Sequence, residues 1–371
     1  MPIAYWLLII SFLLSFVVEW WLIPRVLIIS HKHKLFDIPD KRKVHDKPIP
    51  RLGGLTFFPV IVITMSMMMG IRYVNGWGIT NVNIQDVFVE SMLLLSGACT
   101  LYVTGVGDDL IGVNYRQKFM AQIICGCMLS YSGLWLHSLG NFMGIDDISV
   151  WLGTLCTVFI TVYITNAFNL IDGIDGLASG LAAIALSIFT IIFILERQLI
   201  YAMIAASTLG VIVPFWFYNV FGSRKKGTKI FMGDTGSLTL GFIMSFLLLR
   251  IILTGYQKNG TPGFILIAIS ALLIPAFDVV RVAVHRMRKH RSPFKPDRNH
   301  THHKLLRCGM KPHYVLMVII ALDMFYIIMN YLLRKYLNIT VILLLDGILW
   351  CILHIILNKQ IKKVEGTPHS I

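Results

Sequence analysis

Four polar side chains recur at every third residue where a long apolar run ends. They are Asn166, Asn169, Asp172 and Asp175, in the stretch NAFNLIDGIDGLASG that completes the apolar run Val150–Leu170. Residues three apart lie on neighbouring turns of a helix, so the two amides share a stripe that the carboxylates continue. An acid inside a bilayer costs on the order of 2.5–3.5 kcal/mol, so such groups usually face a cavity, a cation or one another. The stretch therefore predicts a ligand site or, as the simpler alternative, a capped and solvated helix end.

Two further acidic motifs stand beside glycine. Asp108 and Asp109 are adjacent in GVGDDLIGVNYRQK, and Asp234 lies in FMGDTGSL. Adjacent carboxylates repel each other unless a proton or cation intervenes, which makes the pair a candidate for divalent-metal or acid–base chemistry, with a solvated loop as the alternative. An acid at a helix start can bind Mg²⁺ close to a phosphate, although it also makes an ordinary N-cap. Asp278 and Arg281, three apart at a later helix end, predict a structural ion pair.

Basic residues and histidines accumulate in two loops. The first contains DIPDKRKVHDKPIPRLGG, in which Lys47 and Arg51 stand beside prolines and a glycine pair. The last contains PDRNHTHH, where His300, His302 and His303 have no cysteine or carboxylate at a spacing that completes a zinc tetrahedron. Imidazole and guanidinium groups donate to phosphate oxygens, so the last loop suits a diphosphate, and Lys47 and Arg51 are candidates for a defined anion contact. The alternative for both loops is contact with lipid headgroups.

The composition indicates which scaffold carries these motifs. The chain has 371 residues, of which 56% are hydrophobic and 14% charged, and its mean hydropathy is +0.72, far above that of soluble domains. We predict one all-α domain over residues 1–371, a polytopic bundle of about eleven membrane helices. The predicted spans are Ile3–Ile29, Gly54–Ile71, Val87–Val106, Phe119–Leu139, Val150–Leu170, Leu177–Leu195, Leu199–Phe221, Ile230–Thr254, Phe264–Val284, Tyr314–Leu333 and Ile339–Leu357.

The distribution of positive charge predicts the orientation of the bundle. The chain has 33 Lys and Arg against 19 Asp and Glu, which gives a net charge of +14. If successive loops alternate across the membrane, 27 of the 33 basic residues fall on one side and 6 on the other. Cytoplasmic loops are the ones rich in Lys and Arg, so we predict the N-terminus outside and the C-terminus in the cytoplasm. This asymmetry argues against nucleic acid as the reason for the basic balance.

In this topology all five motifs lie in cytoplasmic segments. The segments are residues 30–53, 107–118, 166–177, 219–237 and 285–312. Carboxylates, amides, lysines and histidines that converge at one membrane face supply what Mg²⁺-assisted phosphoryl transfer needs. A remote alternative is an ion-coupled transporter, since intramembrane acids also mark ion paths. Transporters, however, place such acids near the bilayer midplane and often between inverted repeats, whereas these acids stand at span ends.

The motifs also resemble those of a known family. DIPDKRKVHDKPIPRLGG, GDD, NAFNLIDGIDGLASG, FMGDTGSL and PDRNHTHH occur in the order found in polyprenyl-phosphate N-acetylhexosamine-1-phosphate transferases, the membrane glycosyltransferase family 4. The resemblance implies that undecaprenyl phosphate attacks the β-phosphorus of a UDP-HexNAc, giving a lipid-diphosphate-sugar and UMP. It implies a multi-pass protein of the bacterial inner membrane, able to form a homodimer. The reaction would be the first membrane step of a cell-envelope glycan pathway, such as lipopolysaccharide, O-antigen or teichoic acid synthesis.

The same resemblance implies roles for the candidate residues. Mg²⁺, with Mn²⁺ as a substitute, would be held by Asn169 and Asp234. Either Asp108 or Asp109 would position or deprotonate the attacking lipid phosphate. The other candidates would contact the UDP-sugar, with the histidines on its diphosphate, and they are Lys47, Asp172, Asp175, Asn219, His300, His302 and His303.

The donor sugar has two candidates within this family. The HTHH and NLIDGIDG forms are more similar to the branch that uses N-acetylglucosamine, so UDP-GlcNAc is the expected donor. The alternative is the phospho-MurNAc-pentapeptide transferase branch of peptidoglycan synthesis, which usually shows three adjacent histidines. In this chain Thr301 interrupts such a run.

Overall fold

The described part of the protein is almost entirely helical. The computed structural model describes residues 4–37, 48–77, 84–142, 145–257, 262–290, 292 and 299–366, so the predicted donor contact Lys47 lies outside the described residues. Within these residues there are thirteen α-helices, one 3₁₀ turn and two short antiparallel strand pairs. The all-α class predicted from the sequence is confirmed.

The helices follow one another through short connections. In chain order they are α1 (Ala4–Lys32), α2 (Phe57–Val74), α3 (Ile84–Ile111), α4 (Tyr115–Tyr131), α5 (Val150–Ile171), α6 (Leu177–Leu195), α7 (Leu199–Phe221), α8 (Gly233–Gln257), α9 (Pro262–Ser270), α10 (Leu273–Arg288), α11 (Thr301–Arg307), α12 (Pro312–Leu333) and α13 (Ile339–Gly366). The 3₁₀ turn covers Gly53–Thr56. The strand pairs are β1 (Phe36–Asp37) with β2 (Ile49–Pro50), and β3 (Ser138–Phe142) with β4 (Ile145–Asp147).

The number of helices that pass a test of length and apolar character is slightly lower than the number of predicted spans. Nine helices of the described chain are long and apolar enough to cross a bilayer, and the bent pair α9 and α10 would be a tenth span. The sequence predicts eleven. The difference is the predicted span Phe119–Leu139, which corresponds to α4. That helix has 17 residues, or about 26 Å of length, which is short for a hydrocarbon core of roughly 30 Å.

Local signals shift both ends of α4 relative to the prediction. The side chain of Asn114 accepts a hydrogen bond from the N–H of Arg116 at 3.1 Å, and Gln117 Oε1 accepts one from the N–H of Asn114 at 3.3 Å. This capping box starts the helix before the apolar run begins. The helix stops at Tyr131, two residues before Gly133, whose φ of +91° is a left-handed conformation suited to glycine.

A break divides the predicted span Phe264–Val284. α9 ends at Ser270, α10 starts at Leu273, and the two axes differ by 61°. Pro275 has no backbone N–H and cannot donate to the carbonyl four residues earlier, so it cannot stand in an uninterrupted helix without loss of a hydrogen bond. The break turns α10 so that it packs beside α5.

The centre of the bundle is α8, which places the candidate site at its N-terminal end. In its most apolar part 89% of the residues are buried inside the protein. Small residues allow neighbouring backbones to approach: a Cβ on Gly241 would lie 2.7 Å from the Thr165 Cα of α5, and one on Gly105 of α3 would lie 2.4 Å from the Thr235 Cα. Such close packing is typical of membrane helices. The C-terminal ends of α3 and α5 therefore meet the start of α8.

A paired backbone segment brings the first loop to the same place. The N–H groups of Gly53 and Gly54 donate to the carbonyls of Phe231 and Met232 at 2.9 and 2.8 Å. A Cβ on Gly54 would lie 2.1 Å from the Cα of Gly236 in α8, so only glycine permits this approach. The RLGG sequence thus fixes Arg51 beside the start of α8.

Candidate active site

Three segments far apart in the chain converge on the carboxylate of Asp234. Its Oδ2 atom accepts a hydrogen bond from Arg51 Nη2 at 2.9 Å and lies 3.5 Å from Lys118 Nζ. Its Oδ1 atom accepts a hydrogen bond from Asn169 Nδ2, which also donates to Ser237 Oγ at 2.9 Å. Because α8 starts at Gly233, the helix dipole also favours negative charge at this position.

Asp109 caps helix α8 from the neighbouring helix α3. Its two oxygens accept hydrogen bonds from the N–H groups of Asp234 and Thr235 at 2.8 and 2.9 Å, and from Thr235 Oγ1 at 2.6 Å. Arg51 Nε lies 3.1 Å from the same carboxylate, whose side chain has no exposed surface. Its hydrogen-bonding capacity is therefore largely used inside the protein, where it satisfies N–H groups that a helix start leaves without partners.

Asp108 has fewer partners and is open to solvent. Its Oδ1 atom accepts a hydrogen bond from the N–H of Val113 at 2.6 Å, and its Oδ2 atom lies 3.0 Å from Lys118 Nζ. About a tenth of the side chain, 10%, is exposed. Since Lys118 also faces Asp234, one ammonium group lies between two carboxylates. The adjacent acids thus have different surroundings, and Asp108 is the one that a ligand can reach.

The DGIDG turn after α5 presents two more predicted acids. Asp175 Oδ2 lies 2.7 Å from Lys229 Nζ, and about a third of the Asp175 side chain, 32%, is exposed. Asp172 ends α5 and is half-buried. Burial, together with the negative charge of Asp175, raises the pKa of Asp172 to about 7. A cation or a hydrogen-bonded ligand hydroxyl beside Asp172 would favour its ionised form.

Asn219 joins this turn to the loop before α8. Its Oδ1 atom accepts a hydrogen bond from the N–H of Gly176 at 2.5 Å, and its Nδ2 group donates to the Ile230 carbonyl at 2.7 Å. Gly176 needs its φ of +78°, a left-handed conformation. Lys229 Nζ donates to the backbone carbonyl of Asn219. The side chain of Asn219 is buried and both its polar ends bind backbone, so it lies behind the turn that it supports.

The histidine motif reaches the same turn through His302. A Cβ on Gly173 would lie 2.2 Å from His302 Nε2, so this ring packs directly on the DGIDG backbone. Its ring lies 4.2 Å from that of His303 and 5.7 Å from that of His300, measured between centroids. Burial lowers the pKa of His302 well below its usual value, and the nearby His303 and His300 lower it further. His302 is therefore neutral at pH 7.

The structure brings together most of the predicted site residues. Asp108, Asp109, Asn169 and Asp234 form one cluster, and the turn with Asp172 and Asp175 lies next to it and to the histidines. Sequence reasoning identified Arg51 only as an anion contact. It missed the roles of Lys118 and Lys229. Lys118 stands ten residues beyond Asp108, and only the turn between α3 and α4 shows that the two meet.

The donor set suits a hard divalent cation better than zinc. Among the described residues, no three His, Cys, Asp or Glu side chains are grouped so that they could hold a metal by themselves. The carboxylate of Asp234 and the side-chain amide of Asn169 that donates to it are what is available, on a cluster where Arg51 and Lys118 face three carboxylates. Mg²⁺ is usually bound in this way, by one or two carboxylates together with water and substrate phosphates. The residues therefore fit Mg²⁺.

Comparison with known proteins gives the class of this chain. The model of the family described as "Glycosyl transferase family 4" matches residues 91–252, which run from α3 into α8 and include Asp108, Asp109, Asn169 and Asp234. The chain belongs to this family. With its many apolar helices it is a multi-pass membrane transferase.

Similar proteins carry more specific names. Over 94% of its length the chain is 31% identical to a Bacillus subtilis (strain 168) protein named "Probable undecaprenyl-phosphate N-acetylglucosaminyl 1-phosphate transferase", and it covers 88% of that relative. Over 76% of its length it is 31% identical to the "Undecaprenyl-phosphate alpha-N-acetylglucosaminyl 1-phosphate transferase" of Yersinia pestis, covering 72% of it. The protein of that name from Escherichia coli (strain K12) is 30% identical over 76% of the chain and is covered to 71%.

Proposed function

We propose that the chain transfers N-acetylglucosamine-1-phosphate from UDP-GlcNAc to undecaprenyl phosphate and releases UMP. The observation that carries this proposal is the cluster around Asp234, where three carboxylates, an amide, an arginine and a lysine from four helices and the first loop meet at one end of a membrane bundle. The names of the relatives support the acceptor and the sugar. They do not favour the phospho-MurNAc-pentapeptide alternative or a transporter.

The reaction exchanges one phosphorus–oxygen bond for another. An oxygen of the lipid phosphate forms a bond to the β-phosphorus of the donor, while the bond from that phosphorus to the bridging oxygen breaks and this oxygen leaves with UMP. Asp108 is the acid placed to orient or deprotonate the lipid phosphate, because its carboxylate is partly exposed beside Lys118. Asp109 instead holds the start of α8 and thereby positions Asp234.

Arg51 and Lys118 supply positive charge where phosphates meet. Each bridges Asp234 to one member of the adjacent acid pair, Arg51 to Asp109 and Lys118 to Asp108. Both side chains keep exposed surface, 35% for Arg51 and 22% for Lys118, so they can also face a ligand. Cations fixed in this way stabilise the negative charge that develops on the phosphate oxygens during transfer.

Mg²⁺ is the proposed cofactor, with Mn²⁺ as a substitute. Asp234 and Asn169 would hold it from the start of α8 and near the end of α5, with the Asn169 amide presenting its oxygen in place of the Nδ2 group that donates to Asp234. A cation held there would neutralise diphosphate charge and withdraw electrons from the β-phosphorus. The neighbouring turn, with Asp172, Asp175 and the packed ring of His302, would contact the nucleotide sugar and its diphosphate.

The proposed location is the bacterial inner membrane with the site facing the cytoplasm. The predicted split of 27 basic residues to 6 across the membrane supports this orientation, because cytoplasmic loops are the ones rich in Lys and Arg. A soluble UDP-sugar and a membrane lipid can meet at that face. A homodimer stays a prediction.

A donor comparison tests the proposed function. Protein purified in detergent is supplied with Mg²⁺, undecaprenyl phosphate and either UDP-GlcNAc or UDP-MurNAc-pentapeptide, and UMP release is measured. We expect UMP from UDP-GlcNAc only when the lipid acceptor is present. Release from the pentapeptide donor alone would assign the chain to the alternative branch, and release without acceptor would contradict transfer to the lipid.

A further inference from the structure

A buried carboxylate outside the Asp234 cluster organises the histidine motif. Asp278 of α10 is 1% exposed. Its Oδ2 atom lies 2.7 Å from His300 Nδ1, and its Oδ1 atom accepts hydrogen bonds from the N–H of Thr301 at 3.0 Å and from Thr301 Oγ1 at 2.5 Å. Arg281 Nη2, predicted as its ion-pair partner, lies 2.8 Å away, which confirms the pair. Three of the four contacts of Asp278 are therefore with residues that begin the HTHH helix α11.

These contacts fix the direction from which the chain enters α11. Arg281 also donates to the backbone carbonyl of Asn299, so two side chains one turn apart on α10 hold three consecutive residues of the motif. Asp278 satisfies the first N–H of α11, which the helix itself leaves without a partner. A buried carboxylate is costly unless several donors surround it, and here one charged and two neutral donors accompany His300.

Helix α13 holds the opposite side of α11. Thr301 Oγ1 lies 3.4 Å from His354 Nε2, and Lys304 Nζ donates to Asn358 Oδ1 at 2.8 Å. Near the end of α11, Arg307 forms an exposed pair with Glu365 at 2.8 Å. With α11 fixed between α10 and α13, Asp278 supplies the hydrogen bond that orients the His300 ring within the described residues, beside the neighbouring rings of His302 and His303.

We propose that Asp278 is a positioning residue for donor binding, which acts by accepting a hydrogen bond from Nδ1–H of His300 so that the ring, protonated at both nitrogens, offers Nε2–H to the diphosphate of the nucleotide sugar. This inference rests on the proposed function. A carboxylate that accepts from one ring nitrogen fixes the orientation of an imidazole and stabilises its doubly protonated form, whose second N–H can donate to a phosphate oxygen. His302, packed against Gly173, has no such partner among the described residues and contributes shape rather than a fixed proton.

A double-mutant cycle separates positioning from a general effect on the fold. The variants are Asp278→Asn, His300→Ala and their combination, and the readouts are the KM for UDP-GlcNAc, the KM for undecaprenyl phosphate and UDP-GlcNAc affinity by calorimetry. Loss of a charge-assisted hydrogen bond predicts a rise of about tenfold in donor KM for Asp278→Asn, with acceptor KM unchanged. In the His300→Ala background the same substitution should raise the donor KM by less than about twofold, because the ring that Asp278 positions is absent.

Controls keep the result interpretable. Glu365→Gln removes a contact of α11 far from the histidines and should leave both KM values at wild-type level. If Asp278→Asn does not fold, Thr301→Val takes its place in the same cycle, since it removes one donor to the same carboxylate. Multiplicative effects of the two substitutions, or an equal rise in both KM values, would overturn the positioning role. Absence of UDP-GlcNAc binding by the wild type would instead contradict the proposed function.

Discussion

Helices α3 and α8 carry a charged cluster at each end of their contact. The two clusters differ in charge balance, in the sharing of partners and in exposure. At the start of α8, Asp234 meets Asp108 and Asp109 of α3. Toward the other end of α8, Arg250 meets Glu90 of α3. Sixteen residues separate Asp234 from Arg250, so the clusters lie about 24 Å apart along the helix.

The cluster around Glu90 is closed and balanced. Glu90 Oε1 lies 2.9 Å from Arg250 Nη1, and Glu90 Oε2 accepts a hydrogen bond from Tyr201 Oη at 2.5 Å. Arg250 Nε also donates to Gln198 Oε1 at 3.4 Å. One buried acid faces one buried base, and the exposed Asp86 lies one turn from Glu90 on α3. This pair links α3, α7 and α8 and leaves no group for a ligand.

The cluster around Asp234 is open and unbalanced. Three carboxylates share one arginine and one lysine, and both cations keep exposed surface. Burial of charge in a membrane protein is therefore a poor marker of an active site by itself. The informative features are an excess of one charge, partners that are shared between groups, and access from outside.

The largest expected effect comes from Asp234→Asn, which removes the charge on which three segments converge. Turnover should fall by about 10³-fold or more, since the variant loses the carboxylate that faces Arg51, Lys118 and the proposed cation. UMP release under saturating substrates measures this effect, and a thermal melt shows that the protein is folded. Turnover within tenfold of the wild type would remove Asp234 from the site.

The two adjacent acids should differ in their effects on kcat and on melting temperature when each is changed to its amide. Asp108→Asn should lower kcat by about 10²-fold or more with an unchanged melting temperature, because this acid faces the acceptor. Asp109→Asn should also lower the melting temperature, because an amide NH₂ would face the N–H groups of Asp234 and Thr235 and leave a buried donor unsatisfied, at about 1–3 kcal/mol. Equal melting temperatures for the two variants would contradict this division of roles.

A smaller effect is expected from Gly173→Ala, which tests the contact between the DGIDG turn and the histidines. The added Cβ would lie 2.2 Å from His302 Nε2, so the ring must move. Overpacking of about 1–3 kcal/mol predicts a rise of roughly tenfold in the KM for UDP-GlcNAc. Gly347→Ala is the matched control, because a Cβ there meets no atom within 4 Å. The same KM in both variants would show that His302 does not serve the donor.

The smallest effect on turnover is expected at the balanced cluster. Glu90→Gln leaves Arg250 buried without a counter-charge, which costs about 3–5 kcal/mol and should lower the melting temperature. Turnover at a temperature where the protein is folded should stay within about twofold of wild type, since distant sites act independently. Adding Arg250→Met should recover part of the lost stability. A large loss of turnover in folded Glu90→Gln would contradict the assignment of a purely structural role to the Glu90 cluster.

The sequence predicts the helices well because the length of an apolar run is a local property. Ten of the eleven predicted runs coincide with a membrane-length helix or the bent pair. The exception is the run Phe119–Leu139, because α4 begins and ends earlier, at Tyr115 and Tyr131. Its signals were present in the chain: the capping box at Asn114 and the glycine at 133 define both ends. Pro275 indicates the break before α10 as well, but it stands inside an apolar run that is long enough for one span.

The candidate site was predictable as a set of residues but not as a set of contacts. The motifs identify Asp108, Asp109 and Asp234, yet only the meeting of α3 and α8 shows that Asp109 is a cap. Asp278 was assigned to Arg281 alone, because the sequence separation of 22 residues hides its contact with His300. Long-range partners depend on tertiary packing, which spacing along the chain does not encode.

Metal binding tests the central claim most directly. Mn²⁺ is titrated into the wild type, Asp234→Asn and Glu90→Gln in the presence of UDP-GlcNAc, and the free ion is followed by electron paramagnetic resonance. The account predicts that the wild type and Glu90→Gln bind Mn²⁺ alike and that Asp234→Asn loses this binding. Undiminished binding by folded Asp234→Asn, or its loss in folded Glu90→Gln, would contradict the assignment of the chemistry to the Asp234 end of the bundle.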